Sequence, residues 1–187
     1  LHRTIFNQSI IAACESGSLG LALQSKSAAV IYMNADLNDL TGEGFKGLCR
    51  KKPIFIHLDL LRGLNGSKEG LHFLKKTINP FGVVSTKSNV IRAAKKEGFF
   101  AIQRIFLIDT QSFNNSLDAI AENKPDAIEI MPAIAPSIVK KYREKVQAPI
   151  ILGGLISDSA QIAEAFRQGA DAVSLSQSRL WNYPAAE

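Results

Sequence analysis

Apolar residues fall along this chain in short uninterrupted runs of Ile, Val and Phe rather than in strict alternation with polar ones. Eight such runs stand out: Ser9–Ala13, Ala28–Asn34, Pro53–Asp59, Gly82–Thr86, Phe99–Leu107, Ala127–Pro132, Pro149–Gly153 and Ala172–Ser176. Strands covered on both faces have this look, because neither face meets water. Between the runs the apolar period changes to that of a helix. Ser67 can cap a helix carrying Leu71, Leu74 and Ile78 on one face. Asn89 to Glu97 reads as a short helix closed by Gly98. Pro136 suits a first helical position, ahead of a stripe of Ile138, Tyr142 and Val146. Asp158 with Gln161 three residues on has the form of a capping box; Ile162 and Phe166 follow on one face, and Gly169 stops the helix. Leu37–Lys51 is the least regular segment, since Gly42, Gly44 and Gly47 interrupt it at up to about 1 kcal/mol each against alanine.

Strand alternating with helix, eight times, predicts parallel strands joined by crossover helices. Closed on themselves, the eight units give an α/β fold, a single small (β/α)8 TIM-type barrel spanning residues 1–187 as one domain. The rival is an open doubly wound sheet. The chain is short for a barrel, whose lower end is near roughly 200 residues, so tight loops and a last helix of a turn or two are expected.

Strand parity then sorts the polar residues, because alternate side chains of a barrel strand face the interior. If Ile54, Ile56 and Leu58 face the helices, Phe55, His57 and Asp59 turn inward. Ile128 and Ile130 outward turn Glu129 inward, and Val173 and Leu175 outward turn Ser174 and Ser176 inward. By the same logic Ser85 and Lys87 share a side. Parity leaves Gln103 and Arg104 undecided. His57, Asp59, Lys87, Glu129, Ser174 and Ser176, with Arg104 as a further member, therefore converge toward the C-terminal ends of the strands, where barrel ligand sites are built. Buried carboxylates need partners, so Asp59 and Glu129 should meet Lys87, Arg104 or a ligand hydroxyl. Gly153-Gly154 after the seventh strand, with Ser174-Leu175-Ser176 in the eighth, predicts a phosphate site at strands 7–8. Glycines let the backbone approach an anion, which then takes backbone N–H donors.

Composition narrows the classes. The chain has 187 residues, 46% of them hydrophobic, enough for one sizeable core. No apolar run approaches the roughly 20 residues of a membrane span, so no membrane partner is expected. Leu1 to Gln8 is too short an apolar stretch for a signal peptide, and with Leu rather than Met at the start a few missing native residues are an expectation. Cys14 and Cys49 match no metal spacing and read as thiols in a reducing cytoplasm. The net charge of +5 favours anionic ligands or polyanion partners. Basic clusters at Arg50-Lys51-Lys52, Lys75-Lys76, Lys95-Lys96 and Lys140-Lys141, with Arg143 and Lys145, read as solvated helix faces. RNA binding does not follow from them alone. There is no metal cluster, no nucleophile paired with a base, and no Walker or dinucleotide fingerprint.

A further set of segments runs almost end to end: Asn7-Gln8-Ser9-Ile10-Ile11, His57-Leu58-Asp59-Leu60, Ser85-Thr86-Lys87, Ala101-Ile102-Gln103-Arg104, Ile108-Asp109, Pro125-Asp126, Glu129-Ile130-Met131-Pro132, Gly153-Gly154-Leu155-Ile156, Ala172-Val173-Ser174 and Leu180-Trp181. In this order they resemble the glycerol-3-phosphate-responsive antiterminators of bacterial glycerol uptake operons. The resemblance implies a (β/α)8 barrel that binds sn-glycerol 3-phosphate, without a cofactor, metal or catalytic step. It also implies association with the leader mRNA of glycerol operons, which lets polymerase read past a terminator, and a cytoplasmic location. A homo-oligomer stays open. Carried onto this chain, Gly153, Gly154, Ser174 and Ser176 would hold the phosphate. Asp59 and Glu129 would accept from the glycerol hydroxyls, with Lys87 and Arg104 balancing charge. Two positions depart from the family's common pattern: Arg62-Gly63 stands where an Asn-Gly pair is usual, and Met131-Pro132-Ala133 where Leu-Pro-Gly is usual. The alternative is a phosphosugar isomerase or lyase on a phosphate-binding barrel, with Asp59 or Glu129 as base and Lys87 as electrostatic partner. A third reading is a ligand-binding protein whose partner is another protein.

Overall fold

The computed structural model describes residues 5–42 and 44–184. Residues 1–4 of the Leu1–Gln8 start, residue 43 within Leu37–Lys51, and residues 185–187 lie outside it. The strands are β1 (Ser9–Cys14), β2 (Ala29–Tyr32), β3 (Ile54–His57), β4 (Gly82–Ser85), β5 (Phe100–Phe106), β6 (Ala127–Met131), β7 (Ile150–Gly153) and β8 (Ala172–Leu175). Each pairs in parallel with the next, and β8 returns to β1, so the sheet closes into a (β/α)8 barrel. The eight apolar runs are the eight strands, trimmed at their ends.

The outer helices are α1 (Leu19–Gln24), α2 (Leu37–Thr41), α3 (Phe45–Lys51), α4 (Lys68–Thr77), α5 (Ser88–Lys96), α6 (Thr110–Asn123), α7 (Ile138–Arg143) and α8 (Ser159–Arg167). Ser67 caps α4 by accepting from the Gly70 N–H, and Asp158 with Gln161 forms the expected capping box of α8. The reading of Leu37–Lys51 as one helix is corrected: it is two, with Gly44 at φ +102° as the N-cap of α3. Pro136 is not a first helical residue; Ser137 is the N-cap and α7 begins at Ile138. The longest helix, α6, carries its own capping box from Asp109 and Ser112. After β8 the chain makes only a 3-10 turn, Ser178–Leu180, before the buried Trp181, whose indole N–H donates to the Leu175 carbonyl at 2.9 Å.

Two apolar layers result. One lies between strands and helices. The other fills the barrel with Ile11, Ala29, Ile31, Phe55, Val84, Ile102 and Ile151. The Phe55, Phe81 and Phe100 rings meet at 5.3–5.7 Å near the N-terminal ends of β3, β4 and β5. Gly82 makes room for them, since a Cβ there would stand 2.7 Å from the Phe55 ring. Beneath the strands, Asp126 accepts from the Ala101 N–H at 2.9 Å and from Lys95 at 2.8 Å. Asp171 repeats the device, accepting from the Ile150 N–H at 2.6 Å and from Arg143. With the lower interior plugged by aromatic rings, the polar interior groups sit above them, toward the C-terminal mouth.

Candidate functional site

The mouth is built around a buried charge pair. Arg104 of β5 and Glu129 of β6 are register partners, and Arg104 Nε donates to Glu129 Oε2 at 2.7 Å. Their side chains are 3% and 0% exposed. Ser174 of β8 donates its hydroxyl to the other carboxylate oxygen, Oε1, at 2.5 Å. Parity had left Gln103 and Arg104 undecided; the fold turns Arg104 inward. Gln103 faces the helices, where its side-chain oxygen accepts from Asn123 at 3.0 Å.

Glu129 is thus satisfied at both oxygens, while Arg104 is not satisfied at its outer end. Nη1 and Nη2 each lie 3.9 Å from the Met33 sulfur, and neither reaches an oxygen acceptor among the described residues. A thioether is a weak acceptor for a guanidinium with five donors. Arg104 lines a cleft of about 650 Å³ together with Met33, Met131, Gly154, Ser174 and Ser176. Leu155, Ile156, Ser176 and Gln177 also line it. Their backbone N–H groups donate to no acceptor among the described residues.

The seventh loop owes its shape to consecutive left-handed residues, Gly154 at φ +79° and Leu155 at φ +60°. A side chain in that region is disfavoured, so the exposed Leu155 is held there against its own preference. Gly153 is needed for a different reason. A Cβ at this position would stand 2.2 Å from Ser174 Oγ and 3.1 Å from Glu129 Oε1. The glycine therefore opens space for the buried hydrogen-bond chain.

His57 is also inside, 3% exposed, with its Nδ1 buried and without a hydrogen-bond partner among the described residues. Burial, reinforced by the positive Arg104, pushes its pKa down to about 4, so the ring is neutral near pH 7.

Two expected members lie elsewhere. Strand β3 stops at His57, and Asp59 sits in the following 3-10 turn, Leu58–Leu60. Its carboxylate accepts from the Ser85 hydroxyl at 2.7 Å, the Thr86 N–H at 2.7 Å and the Thr86 hydroxyl at 2.8 Å. Burial opposes ionisation of Asp59, but these three donors outweigh it and hold the group below the usual carboxylate range. Asp59 therefore meets neither Lys87 nor the cleft. Ser85 has the parity of Val83, on the helix side, and Lys87 is the exposed N-cap of α5. Ser85 and Lys87 thus do not share an inner face. Met33 and Met131, the chain's two methionines, were passed over although parity with Ile31 and Glu129 points both inward.

Among the described residues no group of three His, Cys, Asp or Glu gathers to hold a metal ion. No helix there is long and apolar enough to cross a membrane.

Comparison with known proteins agrees with this architecture. The chain is 33% identical to the uncharacterised protein YgcP of Escherichia coli K12 over 181 residues, covering 97% of this chain and 95% of that one. It is also similar to the crystal structure of the glycerol uptake operon antiterminator regulatory protein of Listeria monocytogenes, at 33% identity and a TM-score of 0.88, over 95% of this chain and 97% of that one. A glycerol uptake operon antiterminator-related protein of Thermotoga maritima superimposes at a TM-score of 0.77 with 26% identity, over 92% and 97% of the two chains. The family model described as glycerol-3-phosphate responsive antiterminator matches residues 9–181, and the chain belongs to that family.

Proposed function

We propose that this protein is a cytoplasmic sensor of sn-glycerol 3-phosphate, and that the ligand sits in the C-terminal mouth between β5 and β8. The observation that carries this reading is Arg104: a buried guanidinium fixed by Glu129 at Nε, with two terminal nitrogens facing a cleft and no oxygen acceptor among the described residues. Such a group recognises an oxyanion or hydroxyls strongly, because its desolvation is already complete before the ligand arrives. The phosphate takes backbone N–H donors from Leu155 and Ile156 on one side and Ser176 and Gln177 on the other, with Gly154 allowing close approach, while Gly153 leaves room for the Ser174–Glu129 hydrogen bond behind it. Ser174 and Glu129 position Arg104. Asp59 acts at one remove, holding Thr86 and hence the start of α5, and Lys87 adds positive potential at the rim.

Ligand binding favours one conformational state, and that state associates with the leader mRNA of a glycerol operon to permit read-through. Linkage then requires RNA and ligand to tighten each other's binding by the same factor. A phosphosugar isomerase or lyase would need Asp59, Glu129 and Lys87 around one substrate. Asp59 is tied to Ser85 and Thr86 outside the cleft, which weighs against it.

The test is a thermal-shift titration with glycerol 3-phosphate, with glycerol and inorganic phosphate as controls. A hundredfold excess over Kd raises stability by about 2.7 kcal/mol. A shift well beyond both controls, lost in Arg104→Met, is the expected result. An equal shift with phosphate alone would replace the sensor with a generic phosphate site. Enrichment of the leader transcript from cells, increased by glycerol 3-phosphate, tests the regulatory half.

A further inference from the structure

Charge is distributed very unevenly along this barrel. Residues 44–98 carry twelve Lys and Arg against three Asp and Glu, a net of +9; the rest of the chain carries ten against fourteen, a net of −4. The basic stretch is contiguous in space as well: it is the wall formed by α3, α4 and α5 with β3 and β4 behind them.

Helix dipoles account for only part of this. Cations at helix C-termini are favourable on any barrel, and α7 and α8 have them too. There Arg143 pairs with Asp171 and Arg167 with Glu164, while Lys140 and Lys141 are exposed and make no salt bridge among the described residues, so the α3–α5 wall differs in how many free cations it gathers. On the α3–α5 wall Lys46, Arg50, Lys51, Lys76 and Lys96 are exposed and make no salt bridge among the described residues. Lys46 and Lys68 stand in first turns, where the dipole disfavours a cation. Lys46, Arg50, Lys75 and Lys76 line one open groove of about 500 Å³ near Phe81. One helical turn from Lys76, on the outer side of α4, Phe73 is 40% exposed.

We infer that the α3–α5 wall is the RNA-contacting face, with phosphates along Lys46, Arg50, Lys76 and Lys96 and an unpaired base stacked on Phe73. The inference rests on the RNA reading above and adds a face to it. Dispersed, exposed cations with one accessible aromatic ring suit a single strand, whose charges are strung out and whose bases are free to stack. A small anion would need the cations converged on one point. An anionic membrane would need more apolar surface than one ring provides.

The experiment measures binding of a fluorescent glycerol-operon leader transcript across a salt series. It compares the wild type, Lys46→Ala/Arg50→Ala/Lys76→Ala, Phe73→Ala, and a charge-matched control, Lys140→Ala/Lys141→Ala/Lys145→Ala on α7 and just beyond its end. Each protein is first checked for a wild-type thermal shift with glycerol 3-phosphate. The wall variant should flatten the slope of log K against log salt by about 2, since each phosphate contact on a single strand contributes roughly 0.7. Phe73→Ala should weaken binding with the slope intact, and the α7 control should match the wild type. Wild-type binding with equal slopes in the wall and control variants overturns this face and leaves the RNA reading standing. No binding of the transcript by the wild type, with or without glycerol 3-phosphate, overturns both. Binding to phosphatidylglycerol vesicles in place of RNA, lost in the wall variant, overturns the choice of partner.

Discussion

Replacing Glu129 by alanine would leave Arg104 charged, 3% exposed and without its counter-ion. Breaking a buried pair from one side costs about 3–5 kcal/mol, because the remaining charge keeps its desolvation penalty and loses the attraction that offset it. For a chain of this size each kcal/mol is worth about 2–4 °C, so Tm should fall by about 6–20 °C. Ser174→Ala removes one hydrogen bond to the same carboxylate but leaves the pair intact, at about 1.5–3 kcal/mol. Arg104→Met combined with Glu129→Leu removes both charges at similar volume and should return stability to within about 1 kcal/mol of the wild type, or above it. It should also abolish the shift with glycerol 3-phosphate. Urea denaturation and calorimetry, each with and without ligand, read both quantities. If the double variant is as unstable as Glu129→Ala, the pair is not an offsetting one. If the double variant still responds to glycerol 3-phosphate like the wild type, Arg104 is not a ligand group.

Gly153→Ala should cost about 1–3 kcal/mol by overpacking, and Ser174→Gly in the same chain should recover part of the loss, since Ser174 Oγ is the atom a Cβ would strike; chemical denaturation of the three variants checks this. His57 takes up its proton near pH 6.5 when unfolded and only near pH 4 when folded. Stability is therefore complete above about pH 6.5 and falls by about 3 kcal/mol on the way to pH 4, and His57→Gln should remove that limb from the pH–stability profile. Asp59→Asn should destabilise by about 1–3 kcal/mol through its lost hydrogen bonds and raise the glycerol 3-phosphate Kd only slightly by calorimetric titration, through the loosened Thr86 and Lys87; a rise as large as that of Arg104→Met would put Asp59 in the ligand site. Burial pushes the Cys14 thiol up to about 12 and the Cys49 thiol to about 11. Iodoacetamide at pH 8 should therefore label neither until denaturant is added, as mass spectrometry would report.

The barrel was legible because parallel strands buried on both faces leave continuous apolar runs, and all eight runs became strands. Parity placed Phe55, His57, Glu129 and Ser174 correctly as long as the strand continued. It misplaced Asp59 because β3 ends at His57, and a 3-10 turn does not keep a period of two. It misplaced Ser85 because Gly82 and Val84 are the inward residues of β4, with Gly82 set against the ring of Phe55 on the adjacent strand β3. Gln103 and Arg104 were undecidable locally: what separates them is Asn123 on one side and Glu129 on the other, both distant in sequence. The unmet outer end of Arg104 is invisible in one dimension, since it depends on Ser174 and Arg104 sharing Glu129.

Asp126 and Asp171 hold their neighbouring strands from beneath, at the end remote from the cleft. The alignment of β5 with β6 and of β7 with β8 is thus anchored at the end of the barrel opposite the cleft. Loops above can then exchange residues without dragging the strands out of step. Arg62 and Ala133, the two departures from the family's usual pattern, both lie in such upper loops: Arg62 meets Asp36 at 3.4 Å, and the Ala133 N–H donates to the Gly154 carbonyl at 3.2 Å. Ligand preference in this barrel can drift one loop at a time on an unchanged foundation.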